Sequence, residues 1–140
     1  MLKTVPFLLF SIFILTGCVD RGAADEKLAL GCLAGAELFV EEGYKIVDPR
    51  NKKFRDALGL GKGYREVTID VTETDDWYEG DATIQCLFVE EIGFFGRHVA
   101  TIYQLRLSDD EVYGKEGTKI MGSFQDHLRL TETVEQAMNP

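Results

Sequence analysis

The sequence predicts an α+β domain in which helices cover one face of an antiparallel sheet. Apolar residues recur at helical spacing near both ends of the chain, over residues 25–42 and 124–138. Between residues 64 and 121 apolar and polar residues alternate, which is typical of strands with one face in water. Because the helical and strand patterns are grouped along the chain, they indicate an α+β class.

The first helix is predicted to start after Asp25 as its N-cap and to run to about Glu42, with Gly43 just past its end. Interior glycines cost ~1 kcal/mol each relative to Ala, so Gly31 and Gly35 predict close packing of this helix on the sheet. Its apolar face carries Leu28, Cys32, Ala36, Phe39 and Val40.

A short second helix is predicted over residues 49–58. Asp48 followed by Pro49 fits an N-cap with proline at the first helical position. Phe54 and Leu58 would then face the core. A basic group would face water, or else anionic lipid head groups or cell-wall polymer. That group consists of Arg50, Lys52, Lys53 and Arg55, joined by Lys62 and Arg65.

A meander of three or four antiparallel strands is predicted to follow the glycine-rich connection at residues 59–63. The first strand starts at Tyr64. The next three cover residues 81–90, 97–107 and 112–113, with further edge pairing at 119–121. Ala82, Ile84, Cys86 and Phe88 share an inner face, as do Val99, Thr101, Tyr103, Leu105 and Leu107.

The last helix is predicted over residues 124–138. Ser123 with Asp126 three residues later resembles a capping box. The predicted buried stripe consists of Phe124, Leu128, Thr131, Val134 and Met138.

The first 18 residues have the layout of a secretory signal peptide. Lys3 precedes residues 5–15, which are apolar apart from Ser11 and too short for the ~20 residues of a membrane span. The run ends in Leu15-Thr16-Gly17-Cys18, which resembles the lipobox of bacterial lipoproteins. The resemblance covers residues 1–18 only, and no specific family is recognised for the remainder.

The lipobox resemblance implies cleavage before Cys18 and attachment of fatty acyl chains such as palmitate to that residue. Two or three acyl chains hold a protein stably on a membrane. The chain would divide into a signal peptide (1–17), a lipidated tether (18–25) and a single domain (26–140). In lipoproteins of enteric-type bacteria an Asp after the cysteine tends to retain the protein in the inner membrane, so Val19 favours the outer membrane, with the domain facing the periplasm. In a Gram-positive host the anchor would lie in the only membrane.

Cys32 and Cys86 remain as an even pair in that oxidising compartment. Both are predicted to point into the same core, one from the first helix and one from a strand. We expect a disulfide worth about 4 kcal/mol in the chain-entropy model. The alternative is two buried free thiols.

The composition and motifs argue against nucleic-acid binding and catalysis. The formal net charge of −9 does not suit nucleic acid or anionic lipid. His98 and His127 have no recognisable nucleophile or base near them in sequence, and no metal-ligand spacing occurs. We therefore expect no enzyme activity, no cofactor and no metal.

Two aromatic segments are candidate interaction sites. Asp75 and Asp76 precede Trp77 and Tyr78 in a turn whose acidic spacing does not match an EF-hand. These aromatic residues are frequent in binding hot spots, although they could also fold over the sheet edge.

The second segment is a loop in which Phe94 and Phe95 lie between Gly93 and Gly96. Two adjacent phenylalanine side chains are rarely both exposed to solvent unless they contact a membrane or another protein. They would enter the bilayer beside the anchor, contact a partner, or plug the open end of the core.

Together these features predict a non-catalytic, lipid-anchored envelope protein that binds another envelope protein as a scaffold module. The alternative is an inhibitor or exclusion protein whose acidic turn blocks a basic enzyme such as a lysozyme, or a phage component.

Overall fold

The computed structural model describes residues 19–140. The predicted signal peptide and the lipobox cysteine Cys18 lie outside the described residues. No helix in the described part of the chain is long and apolar enough to cross a membrane.

Two helices pack on one face of an antiparallel sheet, which confirms the α+β class. The sheet has six strands rather than the three or four predicted, because residues 45–56 add an edge strand and residues 119–121 form a separate sixth strand. The strands follow one another across the sheet in sequence order. The elements are α1 (Arg21–Phe39), β1 (Lys45–Asp56), β2 (Tyr64–Thr74), β3 (Glu79–Ile92), β4 (His98–Arg106), β5 (Val112–Glu116), β6 (Lys119–Met121) and α2 (Phe124–Met138).

The predicted second helix is wrong, because its residues form the edge strand β1. An edge strand tolerates Pro49, which has no N–H to donate to a ladder. Asp48 and Asn51 have positive φ values of 51° and 50°, and the pairing register with β2 shifts on both sides of Arg50. Leu58 is not a core residue; it lies beyond the strand and is 76% exposed.

Helix α1 begins five residues earlier than predicted. Asp20, not Asp25, is the N-cap, and its side chain accepts a hydrogen bond from the Ala23 backbone N–H at 3.2 Å. Asp25 is instead buried inside the helix, where it pairs with arginines. The segment predicted as a tether is therefore helical from Arg21 onward.

The glycines of α1 allow close approach to α2 rather than to the sheet. A Cβ atom on Gly31 would lie 2.9 Å from a Val134 methyl group, and one on Gly35 would lie 3.0 Å from a Leu130 methyl group. Along this face, side chains of α2 therefore pack directly against the backbone of α1.

Strand β4 breaks its predicted alternation at a bulge. Leu87 pairs with Gln104 but the next residue of β3, Phe88, pairs with Ile102, so Tyr103 is the extra residue. The bulge turns Ile102 and Leu105 into the core and leaves Val99 43% exposed.

The buried stripe of α2 also differs from the prediction. Leu130, Val134 and Met138 are buried, whereas Phe124 and Leu128 are 59% and 47% exposed. The stripe is rotated because α2 faces α1 as well as the sheet. The capping box of Ser123 and Asp126 is present.

The predicted disulfide is confirmed. Cys32 of α1 is bonded to Cys86 of β3, with Cα atoms 5.8 Å apart and both side chains fully buried. Phe88, Ile69, Leu28 and Leu105 pack in the same core.

We predict that replacing both cysteines, as Cys32→Ala with Cys86→Ala, lowers the free energy of unfolding by up to about 4 kcal/mol. The bond closes a loop between residues 54 positions apart. Its loss raises the conformational entropy of the unfolded chain and so favours unfolding. Thermal melting of variant and parent measures this, with chemically reduced parent as the matched control. Equal melting temperatures would refute the stabilising role of the bond.

We predict that Gly31→Ala destabilises the protein by about 1 kcal/mol despite the better helix propensity of alanine. Overpacking against Val134 costs about 1–3 kcal/mol, more than the ~1 kcal/mol that alanine gains in a helix. Gly22→Ala, on an exposed part of the same helix, is the control and should not destabilise. Denaturant unfolding that ranks the two variants equally would contradict the close helix contact.

Candidate interaction surfaces

The two aromatic segments lie at opposite ends of β3. The Asp75–Tyr78 turn precedes the strand, and the Phe94–Phe95 loop follows it. A strand of 14 residues that rises ~3.3 Å per residue separates them by roughly 40 Å. The predicted interaction residues therefore form two separate surfaces.

The Asp75–Tyr78 turn is held by the Asp75 carboxylate. Its Oδ1 accepts hydrogen bonds from the backbone N–H groups of Trp77 at 2.7 Å and Tyr78 at 2.6 Å. The same bonds, that from Trp77 first, lower the pKa of Asp75 from its ordinary value. Asp75 is thus a structural residue of the turn.

Trp77 points away from the protein and is 96% exposed. Tyr78 packs edge-on against Tyr44, with ring centroids 6.0 Å apart. Asp76 is exposed and forms no hydrogen bond or ion pair with the described residues. The turn therefore offers an indole ring and one carboxylate to an incoming molecule.

The Phe94–Phe95 loop also projects into solvent, with Phe94 94% and Phe95 103% exposed. A hydrogen bond from the Gly93 N–H to the Arg97 carbonyl at 2.7 Å closes the loop. Phe95 has a φ of 61°, in the left-handed region that bulky residues rarely adopt. The two rings do not plug the core.

Further exposed apolar residues lie at the same end of the sheet. The β1–β2 connection is fastened there by a 2.7 Å hydrogen bond from the Glu90 N–H to the Gly63 carbonyl. It carries Leu58 and Leu60, which are 76% and 51% exposed. We call Leu58, Leu60, Ile92, Phe94 and Phe95 the apolar end.

Sequence reasoning found the phenylalanines of the apolar end but missed its other members. Leu58 and Leu60 flank Gly59 in a connection, and that placement is a signal of exposure. Their convergence with Phe94 follows only from the pairing register of β1, β2 and β3.

The start of α1 is also fastened at this end. Arg21 donates two hydrogen bonds to the Glu90 carboxylate, at 3.1 and 2.8 Å, and one to Asp25 at 3.0 Å. Arg65 binds Asp25 through 3.1 and 2.7 Å bonds, which raise the pKa of its guanidinium. His98 also contacts Glu90. The described chain therefore begins beside the apolar end.

Four of the six residues of the basic group are held in ion pairs, so the group does not form one continuous cationic surface, and Lys53 and Lys62 are exposed. Arg50 pairs with Asp81, Arg55 with Glu66, and Arg65 with Asp25 and Asp56. Lys52 pairs with Glu26 of α1. These residues fasten β1 and β2 to their neighbours.

A cleft of about 420 Å³ runs between α2 and the outer edge of β4. Strand β5 pairs only with Gln104–Arg106, so among the described strands nothing covers the edge from residue 98 to 103. Lys27, Arg97, His98 and Glu135 are among its lining residues. Exposed strand edges of this kind pair with extended peptides.

His98 lies at the base of the Phe94–Phe95 loop, where it is paired with Ile92, whereas His127 lies in α2. His98 contacts Glu90, and the Nδ1 atom of His127 is buried without a hydrogen-bond partner among the described residues. Within residues 19–140 no group of three or more His, Cys, Asp or Glu side chains is placed to hold a metal ion.

We predict that the Asp75–Tyr78 turn loosens as the pH falls below about 4. The folded pKa of Asp75 is depressed, so its contribution is complete above the unfolded pKa and is lost as pH falls through the folded one. NMR titration of the Trp77 and Tyr78 amides follows this change. Asp75→Ala removes the acceptor and should disorder the turn at neutral pH, whereas the matched Asp76→Ala should not; equal spectra for both variants would contradict the assignment.

Neither a protein-family model nor a curated protein matches this sequence.

Proposed function

We propose that this chain is a non-catalytic, lipid-anchored protein of the cell envelope that binds another envelope protein. The anchor is the acylated Cys18, and the location is the outer membrane with the domain facing the periplasm. The lipobox and the apolar run before it support the anchor. The buried Cys32–Cys86 disulfide is in keeping with an oxidising compartment.

The observation that carries protein binding is the exposure of Trp77 on a preorganised turn. A tryptophan that is 96% exposed gains a large apolar contact when a partner covers it. The two backbone bonds to Asp75 hold the turn before binding, so little ordering entropy is lost on association.

The position of the turn supports the same function. Trp77 lies at the end of β3 opposite the start of α1, where the anchor would be attached. A partner that binds Trp77 therefore approaches from the side of the domain that faces away from the anchor. Membrane attachment and partner binding do not compete for one surface.

An inhibitor or exclusion function is the second candidate, and the charges around the turn favour it. Asp76 is exposed in the turn and Glu79 is exposed at the start of β3. Glu41 and Glu42 are exposed in the connection between α1 and β1, which meets this end of the sheet. An acidic tip with a projecting indole suits the cleft of a basic enzyme such as a lysozyme, or a phage component.

We predict that Trp77→Ser abolishes capture of the partner in crosslinking and pull-down from native membranes. Phe124→Ser removes another exposed aromatic side chain and is the matched control that should retain the partner. Mass spectrometry of the mature N-terminus in the same preparation tests the anchor. Unchanged capture by Trp77→Ser would overturn the interface, and an intact unlipidated Met1 would overturn the anchor.

Salt distinguishes the two candidates. A scaffold contact through Trp77 should survive high salt, because apolar burial is not screened. An inhibitor complex with a cationic enzyme should weaken steeply with salt and with Asp76→Asn.

A further inference from the structure

We propose that the apolar end of the domain is seated in the head-group region of the bilayer that holds the anchor. This inference rests on the proposed anchor at Cys18 and adds how the domain stands on the membrane. The occupant of the apolar end is a lipid surface, rather than a protein or a second copy of the chain.

The first argument is the short distance from the anchor to the apolar end. Helix α1 begins at Arg21, and three residues span at most about 11 Å from Cys18. The Arg21 bonds to Glu90 then fix the first turn of α1 two residues before Ile92. An acylated Cys18 therefore brings the lipid head groups to the Phe94–Phe95 loop.

The second argument is the chemistry of the exposed side chains. The apolar end has two aromatic and three aliphatic side chains, which lie on two loops at the same end of the sheet and at Ile92, the last residue of β3. Phenylalanine and leucine on one face are typical of segments that lie at the boundary of head groups and acyl chains. Exposed Lys62 and Arg97 flank these loops and can reach lipid phosphates.

The third argument is the backbone of Phe95. A bulky residue in the left-handed region is costly, and here its ring gains no burial within the described chain. The conformation directs Phe95 outward beside Phe94 in a loop closed by Gly93 and Arg97. Insertion into lipid supplies the burial that the fold itself does not.

The distribution of charge is compatible with a membrane despite the net charge of −9. The exposed acidic residues Glu41, Glu42, Asp76 and Glu79 lie at the opposite end of the sheet. At the apolar end the exposed acidic residues are Asp20, Asp56, Glu91 and Glu135. Asp56 is paired with Arg65, and the other three are matched by the exposed Lys27, Lys62 and Arg97. Contact with a largely zwitterionic bilayer therefore brings no excess of acidic groups to its surface.

The test uses the full, lipid-anchored chain in phosphatidylethanolamine–phosphatidylcholine vesicles. Phe95→Cys is labelled with an environment-sensitive dye, and Trp77→Cys carries the same dye as the matched control. Cys32 and Cys86 are joined in the disulfide and Cys18 would be acylated, so the introduced thiol takes the label. We expect a blue shift and loss of most of the emission to nitroxide-bearing lipids at position 95, and neither at position 77.

Each other outcome contradicts the proposal in a distinguishable way. Vesicle-bound chain whose dye at position 95 is unquenched overturns insertion and leaves the anchor intact. Quenching at both positions shows a domain lying flat on the membrane. A crosslinked dimer through position 95 without lipid quenching assigns the apolar end to a second copy. A chain that floats free of the vesicles overturns the anchor and the insertion together.

A folding control keeps the result interpretable. Phe94→Ser with Phe95→Ser removes both exposed rings, so its melting temperature should equal that of the parent. In vesicles, hydrogen exchange at residues 93–97 should be slowed in the parent and not in this variant. Equal exchange of the parent loop with and without vesicles would overturn the proposal.

Discussion

The Cys32–Cys86 disulfide determines where helix α1 lies on the sheet. It joins the middle of the helix to the middle of β3, inside a core that has no room for the helix to slide. Gly31 and Gly35 let α2 close over the same helix, so α1 is confined by a covalent bond on one side and by packing on the other. Its two ends are consequently directed to the two ends of β3.

The ion pairs at the start of α1 refine that position. Arg21, Asp25, Arg65 and Glu90 form a chain of charge-assisted hydrogen bonds between α1, β2 and β3. Asp25 and Glu90 have little exposed surface, so removal of an arginine would leave a costly unpaired carboxylate. A buried ion-pair network can define the position of a helix without adding much net stability. Here the network specifies which loops lie beside the start of the described chain.

The elements that the sequence predicts well are those with one uninterrupted period. The alternation of β2 and β3 places Val67, Ile69 and Cys86 on one face, and the structure keeps that face throughout. The disulfide was predicted from two such patterns, the helical spacing that places Cys32 on the inner face of α1 and the alternation that places Cys86 on the inner face of β3. The failures occur where a local signal competes with a longer-range one. The Asp48-Pro49 pair is a good helix start in isolation, but pairing of β1 with β2 overrides it.

The remaining errors have equally local causes. One extra residue at Tyr103 reverses the faces of half of β4, and no composition signal marks it. Asp20 and Asp25 are both capable caps, and only the pairing of Asp25 with Arg65 decides between them. For the interaction surfaces, the sequence indicates the aromatic residues and the turn. It does not indicate that the Asp75 carboxylate accepts backbone hydrogen bonds within the turn, because those bonds depend on the turn geometry.

The length of β3 has a consequence for partners that bind Trp77. If the domain stands on its apolar end, the indole is held roughly 40 Å above the lipid surface by a strand that cannot shorten. β3 then keeps Trp77 at a fixed distance from the membrane. A partner in the same membrane must extend to that distance to reach the indole, and a partner confined to the bilayer surface cannot bind it.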